Sequence, residues 1–246
     1  MWVDRLSREG LSRSRIASHV AVASAIYAWA TAVSRRYATR NPLRLVELPP
    51  NDEKPRLRVA FAPEAEQLLA ALDPEDAVPY AIAFYAGLRR GEIHRLKWPD
   101  VLDGQKIASR LLVARSNSEA GTERRPPIAE PLRAILMRAW LRQGRPDTGR
   151  ILERSVMSSK LAERSTKAWS RAKLTRITLH ECRHTYASLL MASGYTIKEL
   201  MEYRGHADLQ MVNRYVKLLH QPGEADAAER LNNYLRRAGG GSNIPA

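Results

Sequence analysis

HECRHTYASLLMASGYTIKELMEYRGHADLQMVNRY, residues 180–215, is the stretch that decides how this chain reads. It carries His180 and Arg183 in HECRH, His206 in RGH and Tyr215 in NRYVK. Between them, Thr196 and Glu199 form a capping box, in which the hydroxyl and the carboxylate satisfy N–H groups at a helix start. Gly205 supplies the stop for that helix, and His206 follows it directly. Asp208 then caps a further helix that places Met211, Tyr215 and Leu219 on one face. The spacing thus predicts three short helices with four polar groups at their starts and ends. Taken singly, each group has an ordinary reading: a histidine satisfied in a core or at a cap, a surface arginine, a half-buried tyrosine.

Working outward, AGLRRGEI at 86–93 sets Gly87 as a helix stop and Arg89 at the next helix start, with Glu92 one turn on. Ala62-Pro63-Glu64 and Asp73-Pro74-Glu75 are helix starts, with proline at the first helical position and acids in the first turn. Helices are predicted over Glu64–Leu72, Val78–Ala86 and Arg90–Leu96. From Trp98 to Ile128 short β-branched and Leu-rich runs replace the helical period, Ile107–Ala114 being the clearest, with a turn at Ser116–Gly121. Helices resume at Pro131–Arg142 and continue. The fold class is mainly α with a small antiparallel β-sheet (α+β). PPNDEKPRLR at 49–58 breaks helices on both sides and reads as a connection, giving a unit over 1–50, a linker over 51–58 and a larger unit over 59–246. In the first unit, Ile16, Val20, Ala23, Ile26, Tyr27 and Ala30 recur at helical steps, predicting an amphipathic helix over Ser14–Tyr37 behind a turn in LSREGLSRSR.

Composition narrows the class. Forty Lys and Arg against 26 Asp and Glu give a formal charge of +14, and the pI is near 10.3. That excess points to a polyanionic partner, nucleic acid first, because cations that neutralise phosphates release condensed counterions. Arg13, Arg15, Arg35, Arg36 and Arg40 carry the basic content of the first unit and suit phosphate contacts of low sequence specificity. A single cysteine, Cys182, rules out an internal disulfide framework. The Ala-rich run at 17–32 is too polar for a spanning helix, and no signal-peptide pattern follows Met1, so the expectation is a cytoplasmic, nucleoid-associated protein with no membrane role.

Arg89, the H-x-x-R of His180 and Arg183, the G-H of His206, and Tyr215 nine residues later resemble the signature of the tyrosine recombinase (phage integrase) family. The resemblance implies a catalytic domain preceded by a short helical core-binding segment, double-stranded DNA as substrate, and a homo-oligomer, a tetramer on DNA. The first helices of a core-binding domain have no counterpart before the Ser14–Tyr37 helix. The resemblance also implies that Tyr215 attacks a phosphodiester to give a 3′-phosphotyrosine and a free 5′-hydroxyl, so no metal or other cofactor is called for. Arg89 and Arg183 would offer bidentate donors to the phosphate. His180 and His206 would donate hydrogen bonds or shuttle the proton. Glu92 would orient Arg89, and His184 would pack near the site. An amphipathic segment over Glu224–Ala238 would serve either its own domain or a neighbouring protomer.

Two features pull the other way. Members of the family carry a lysine in the turn between their second and third strands, whereas ARSNSEAGTERRPPI at 114–128 has none, and no lysine lies between Lys106 and Lys160. Asn117 or Glu119 takes the position. Arg115, Arg124 or Arg125 could stabilise charge, and Lys106 is the candidate general acid from another direction. A DNA-binding relative with impaired cleavage is therefore the second reading. HECRH also satisfies H-E-x-x-H, the pattern of a zinc hydrolase, but that reading leaves Arg89, Tyr215 and the basic charge without a role.

Overall fold

The computed structural model describes residues 2–32, 36–50, 58–60, 62–114 and 123–205. The chain splits into two compact units, Met1–Arg56 and Leu57–Ala246.

In the first unit, α1 (Trp2–Arg8) and α2 (Arg13–Ala30) are joined through Gly10, whose φ of +80° turns the chain. The expected turn over 6–15 is thus shorter, its first residues belonging to a helix that local spacing did not announce. Ser12 caps α2, accepting from the Arg15 N–H. The helix stops at Ala30 rather than Tyr37, with Thr31 at its C-cap, where the hydroxyl donates to the Tyr27 and Ala28 carbonyls. Val3 and Ile16 are buried, but Ile26 is 62% and Tyr27 38% exposed, so the expected apolar face is covered only at its start. Asn41 ties the following segment back to Ser24.

The second unit is built around one helix. It comprises α3 (Ala62–Ala70), α4 (Pro74–Ala86), α5 (Arg90–Arg95), a 3₁₀ turn at Trp98–Asp100, β1 (Leu102–Asp103), β2 (Lys106–Ile107), α6 (Glu130–Arg142), α7 (Lys160–Arg171), α8 (Leu179–Ala192) and α9 (Ile197–Arg204). Every residue of α4 from Asp76 to Ala86 is buried, the mark of a helix covered on all sides. It packs on α3, α5, α6 and α8. The Asp73 carboxylate caps it and Pro74 opens it, so the helix begins four residues before the expected Val78 and runs through Pro79. The core gathers Leu68, Ile82, Phe84, Ile93, Trp98, Leu136 and Trp169. Its buried indoles are satisfied, Trp169 Nε1 donating to the Leu68 carbonyl and Trp98 Nε1 to Gln143.

The sheet is small and irregular. β1 and β2 pair antiparallel, Leu102 opposite Ile107 and Asp103 opposite Lys106. The run expected as one strand over Ile107–Ala114 continues instead as single bridges, Arg110 to Pro127 and Val113 to Arg124. Pro126 and Pro127 on the facing segment have no N–H, so the ladder cannot close along its length. The Ser116–Gly121 turn lies outside the described residues. Among those residues, no helix is long and apolar enough to cross a membrane.

Candidate active site

Three chain ends converge on one carboxylate. Arg89 is the N-cap of α5, and Glu92, three residues on, reaches back to the Arg89 backbone N–H at 2.7 Å and to its Nη1 at 3.2 Å. Arg124, on the segment that follows residues 115–122, embraces the same carboxylate with both terminal nitrogens, at 2.6 and 3.2 Å. Arg183, in the second turn of α8, places Nη1 3.8 Å from Glu92 Oε2. Glu92, Arg124 and Arg183 are all buried, whereas the Arg89 side chain keeps 29% of its surface.

The same arginines are held by the end of α9. Arg124 Nε donates to the Tyr203 carbonyl at 2.9 Å, Arg183 Nη2 to the Arg204 carbonyl at 2.5 Å and Arg89 Nη2 to the Gly205 carbonyl at 3.3 Å. A helix leaves its last carbonyls without intrahelical donors and concentrates negative dipole there, so this end receives guanidinium groups well. Gly205, with φ +62°, makes the left-handed stop that the sequence predicts. Arg183 also donates to the Gly87 carbonyl. Gly87 itself has φ +65°, and a Cβ there would collide with the Tyr186 ring. That corner requires glycine twice over.

Arg89, His180 and Arg183 line one cavity of about 470 Å³ with Arg90, Arg176 and Thr178, backed by Tyr80, Leu161 and Trp169. His180 stands exposed in the first turn of α8, and His184, one turn on, is buried with its ring edge-to-face against His180 at 4.5 Å. Partial desolvation of the ring against α8 and its neighbours, then the Arg183, Arg204 and Arg89 charges, lower the His180 pKa below the usual histidine value. Its neutral form, which accepts a proton, is therefore favoured. Burial and the neighbouring Arg204 and Arg89 charges also hold Arg183 well below the usual arginine range, with Glu92 opposing them. A guanidinium starts so high that it stays a cation near neutrality. The depression reflects burial first and the crowding of positive charge second.

Other expectations fall as follows. Glu181, the acid of H-E-x-x-H, closes the capping box of its own helix, accepting from Thr178 N–H at 2.7 Å and Thr178 Oγ1 at 2.8 Å. Its side chain thus has a structural employment. No cluster of three metal-holding side chains occurs among the described residues. Lys106 lies in the β1–β2 hairpin, exposed, with Nζ 3.4 Å from Asp103. Arg13, Arg15, Arg36 and Arg40 are in the first unit, and Arg13 donates to the Pro49 carbonyl at 2.8 Å. Arg35, Arg115, Asn117, Glu119, His206, Tyr215 and the Glu224–Ala238 segment lie outside the described residues. Sequence reasoning missed the inward placement of Arg124. The signal was there: residues alternate across a strand, and an inward Ile128 places Pro126 and Arg124 on the same side, as their burial shows.

The model of the Phage integrase family matches residues 61–221. Tyrosine recombinase XerA of Thermococcus kodakarensis is 29% identical over 165 residues, covering 63% of this chain and 56% of that protein. Tyrosine recombinase XerA of Pyrococcus furiosus is 25% identical over 206 residues, 75% of this chain and 70% of the relative. The fold is shared with the Tn1549 transposon integrase solved in complex with circular intermediate DNA, at a TM-score of 0.68 and 19% identity, covering 94% of this chain and 82% of that one.

Proposed function

The chain belongs to the phage integrase family, and from that premise we propose that it is a site-specific DNA recombinase that cleaves and rejoins DNA through Tyr215. The observation that carries this reading is the convergence of Arg89, Arg183 and His180 on one cavity, with two of the three already fixed by Glu92. In this reading residues 1–50 form a partial core-binding domain, 51–58 a linker and 59–246 the catalytic domain. The substrate is double-stranded DNA and the working assembly is a tetramer on it, in the cytoplasm at the nucleoid.

The chemistry follows from charge. The phosphorus centre gathers negative charge on its non-bridging oxygens as the tyrosine oxygen attacks, and Arg89 and Arg183 answer it with fixed donors. The phenol, with a reference pKa of about 10, must give up its proton, and the 5′-oxygen must gain one as it leaves. His180, held toward its neutral form, is suited to accept a proton, and His206 to donate a hydrogen bond to the phosphate. One P–O bond forms as another breaks, so the ester energy is stored in phosphotyrosine and returned when a 5′-hydroxyl attacks it. His184 supports His180 by ring contact, and Lys106 is the candidate donor to the leaving oxygen.

The lysine-free stretch at 115–122 favours one second reading, a relative that binds DNA and cleaves it poorly. Loss of a proton donor slows such chemistry by about 10²–10⁴-fold. Wild-type and Tyr215→Phe protein are incubated with labelled DNA from the flanks of the gene. A protein–DNA adduct that survives SDS and is lost in the variant supports the recombinase. A clear gel shift with no adduct supports the binder, and placing Lys at 117 or 119 should then restore cleavage.

A further inference from the structure

Arg124 does not line the cavity that holds Arg89, His180 and Arg183, yet it is joined to the two arginines through the Glu92 carboxylate. Its side chain is 2% exposed. One edge of the guanidinium grips Glu92, and its Nε reaches the Tyr203 carbonyl. Arg110, on the facing arm, lays its guanidinium over the Tyr203 ring at 5.6 Å and donates to the Tyr203 hydroxyl at 3.4 Å and the Arg125 carbonyl at 3.1 Å. Both arms flanking residues 115–122 are thereby fastened to the end of α9, two residues before Gly205 and three before His206.

We propose that Arg124 is a positioning residue for strand cleavage: it sets Glu92, and through it Arg89 and Arg183, while locking its own arm to the α9 end that leads to His206. The geometry demands a planar fork. Two parallel donors meet the two carboxylate oxygens while a third, pointing elsewhere, meets a carbonyl. A lysine keeps the charge but is a single point, so it cannot satisfy both partners at fixed directions. The proposal rests on the recombinase reading for its kinetic consequence, while its structural consequence stands without it.

The test takes the chain of residues 1–246 as wild type, Arg124→Lys, Arg124→Met, Glu92→Gln, the double Arg124→Met/Glu92→Gln and the paired apolar Arg124→Met/Glu92→Met. Adduct formation under single turnover, DNA affinity, and the rise in melting midpoint caused by inorganic phosphate without DNA are measured for each. For Arg124→Lys the expected result is a cleavage rate down about 10²-fold, as for a lost oxyanion donor, with DNA affinity within about threefold. Arg124→Met and Glu92→Gln are expected to combine with less than the product of their separate losses, because they act as one unit. The paired apolar variant, which replaces a buried ion pair by side chains of similar volume, should fold and still cleave slowly. Arg124→Lys cleaving within about threefold of wild type, or losses that simply multiply, would overturn the proposal. If wild type forms no adduct, the recombinase reading fails on its own. Arg124 is then judged by phosphate: a smaller midpoint rise in Arg124→Lys than in wild type supports it, and an equal rise overturns it.

Discussion

The first unit and the site in the second are both rich in arginine, and they use it in opposite ways. Arg15, Arg36 and Arg40 are exposed, whereas Arg124 and Arg183 are buried around Glu92 and the end of α9. Solvated cations attract a polyanion at long range and release its counterions, without fixing where any phosphate sits. Buried cations held by a carboxylate and three carbonyls are oriented before substrate arrives, which is what stabilises charge as it develops at one atom. Residue type alone does not separate the two, and net charge hides the difference.

Glu92→Ala should break the contrast most severely. It strips the carboxylate from buried guanidinium groups, and removing one partner of a buried pair costs about 3–5 kcal/mol. Urea unfolding should show the loss in its midpoint, together with loss of cleavage. A midpoint equal to wild type would mean that the cluster is not held as the geometry indicates.

Next come Arg89→Lys and Arg183→Lys, which keep the charge and lose the fork. Single-turnover cleavage should fall about 10²–10³-fold while DNA affinity changes far less. Were affinity to fall in step with rate, the cluster would be acting as a plain attractor, like the first unit.

His180 gives a smaller and signed effect. Its pKa is lowered by burial and by Arg183, Arg204 and Arg89. If its neutral form accepts the proton, cleavage persists as pH falls below the ordinary histidine value and is lost only in more acid solution. Arg89→Met removes one cation, so the acid limb should move to higher pH, and His180→Gln should abolish that limb. A limb that stays fixed in Arg89→Met assigns it to another group.

The smallest effects belong to the first unit. Arg15→Ala, Arg36→Ala and Arg40→Ala should each lower the slope of log affinity against log salt by about one, for each phosphate left without its cation. Cleavage at saturating DNA should hardly change, and stability should stay within about 0.5 kcal/mol, as for surface substitutions. Arg13, which anchors the Pro49 carbonyl, should cost more stability than the other three.

Sequence made the helical skeleton legible wherever a local device writes the boundary: Asp73 and Pro74 before α4, the Thr196–Glu199 capping box before α9, Gly87 and Gly205 as stops. It failed where no glycine, proline or capping pair marks a helix end, as at Ala30, or where proline on the facing segment breaks a ladder, as at Pro126 and Pro127. The gathering of Arg89, His180 and Arg183 was legible through the resemblance of their motifs to the phage integrase signature. The carbonyl seat at Tyr203–Gly205 was not, because backbone acceptors leave no trace in residue identity. Arg124 fell between the two, marked only by its alternation with Ile128.

The most direct measurement is mass mapping of the covalent protein–DNA adduct formed on a substrate that cannot religate. The account predicts a single modified peptide with the nucleotide 3′-phosphate on Tyr215, and none from Tyr215→Phe. An adduct on another residue, or one undiminished in Tyr215→Phe, would contradict it.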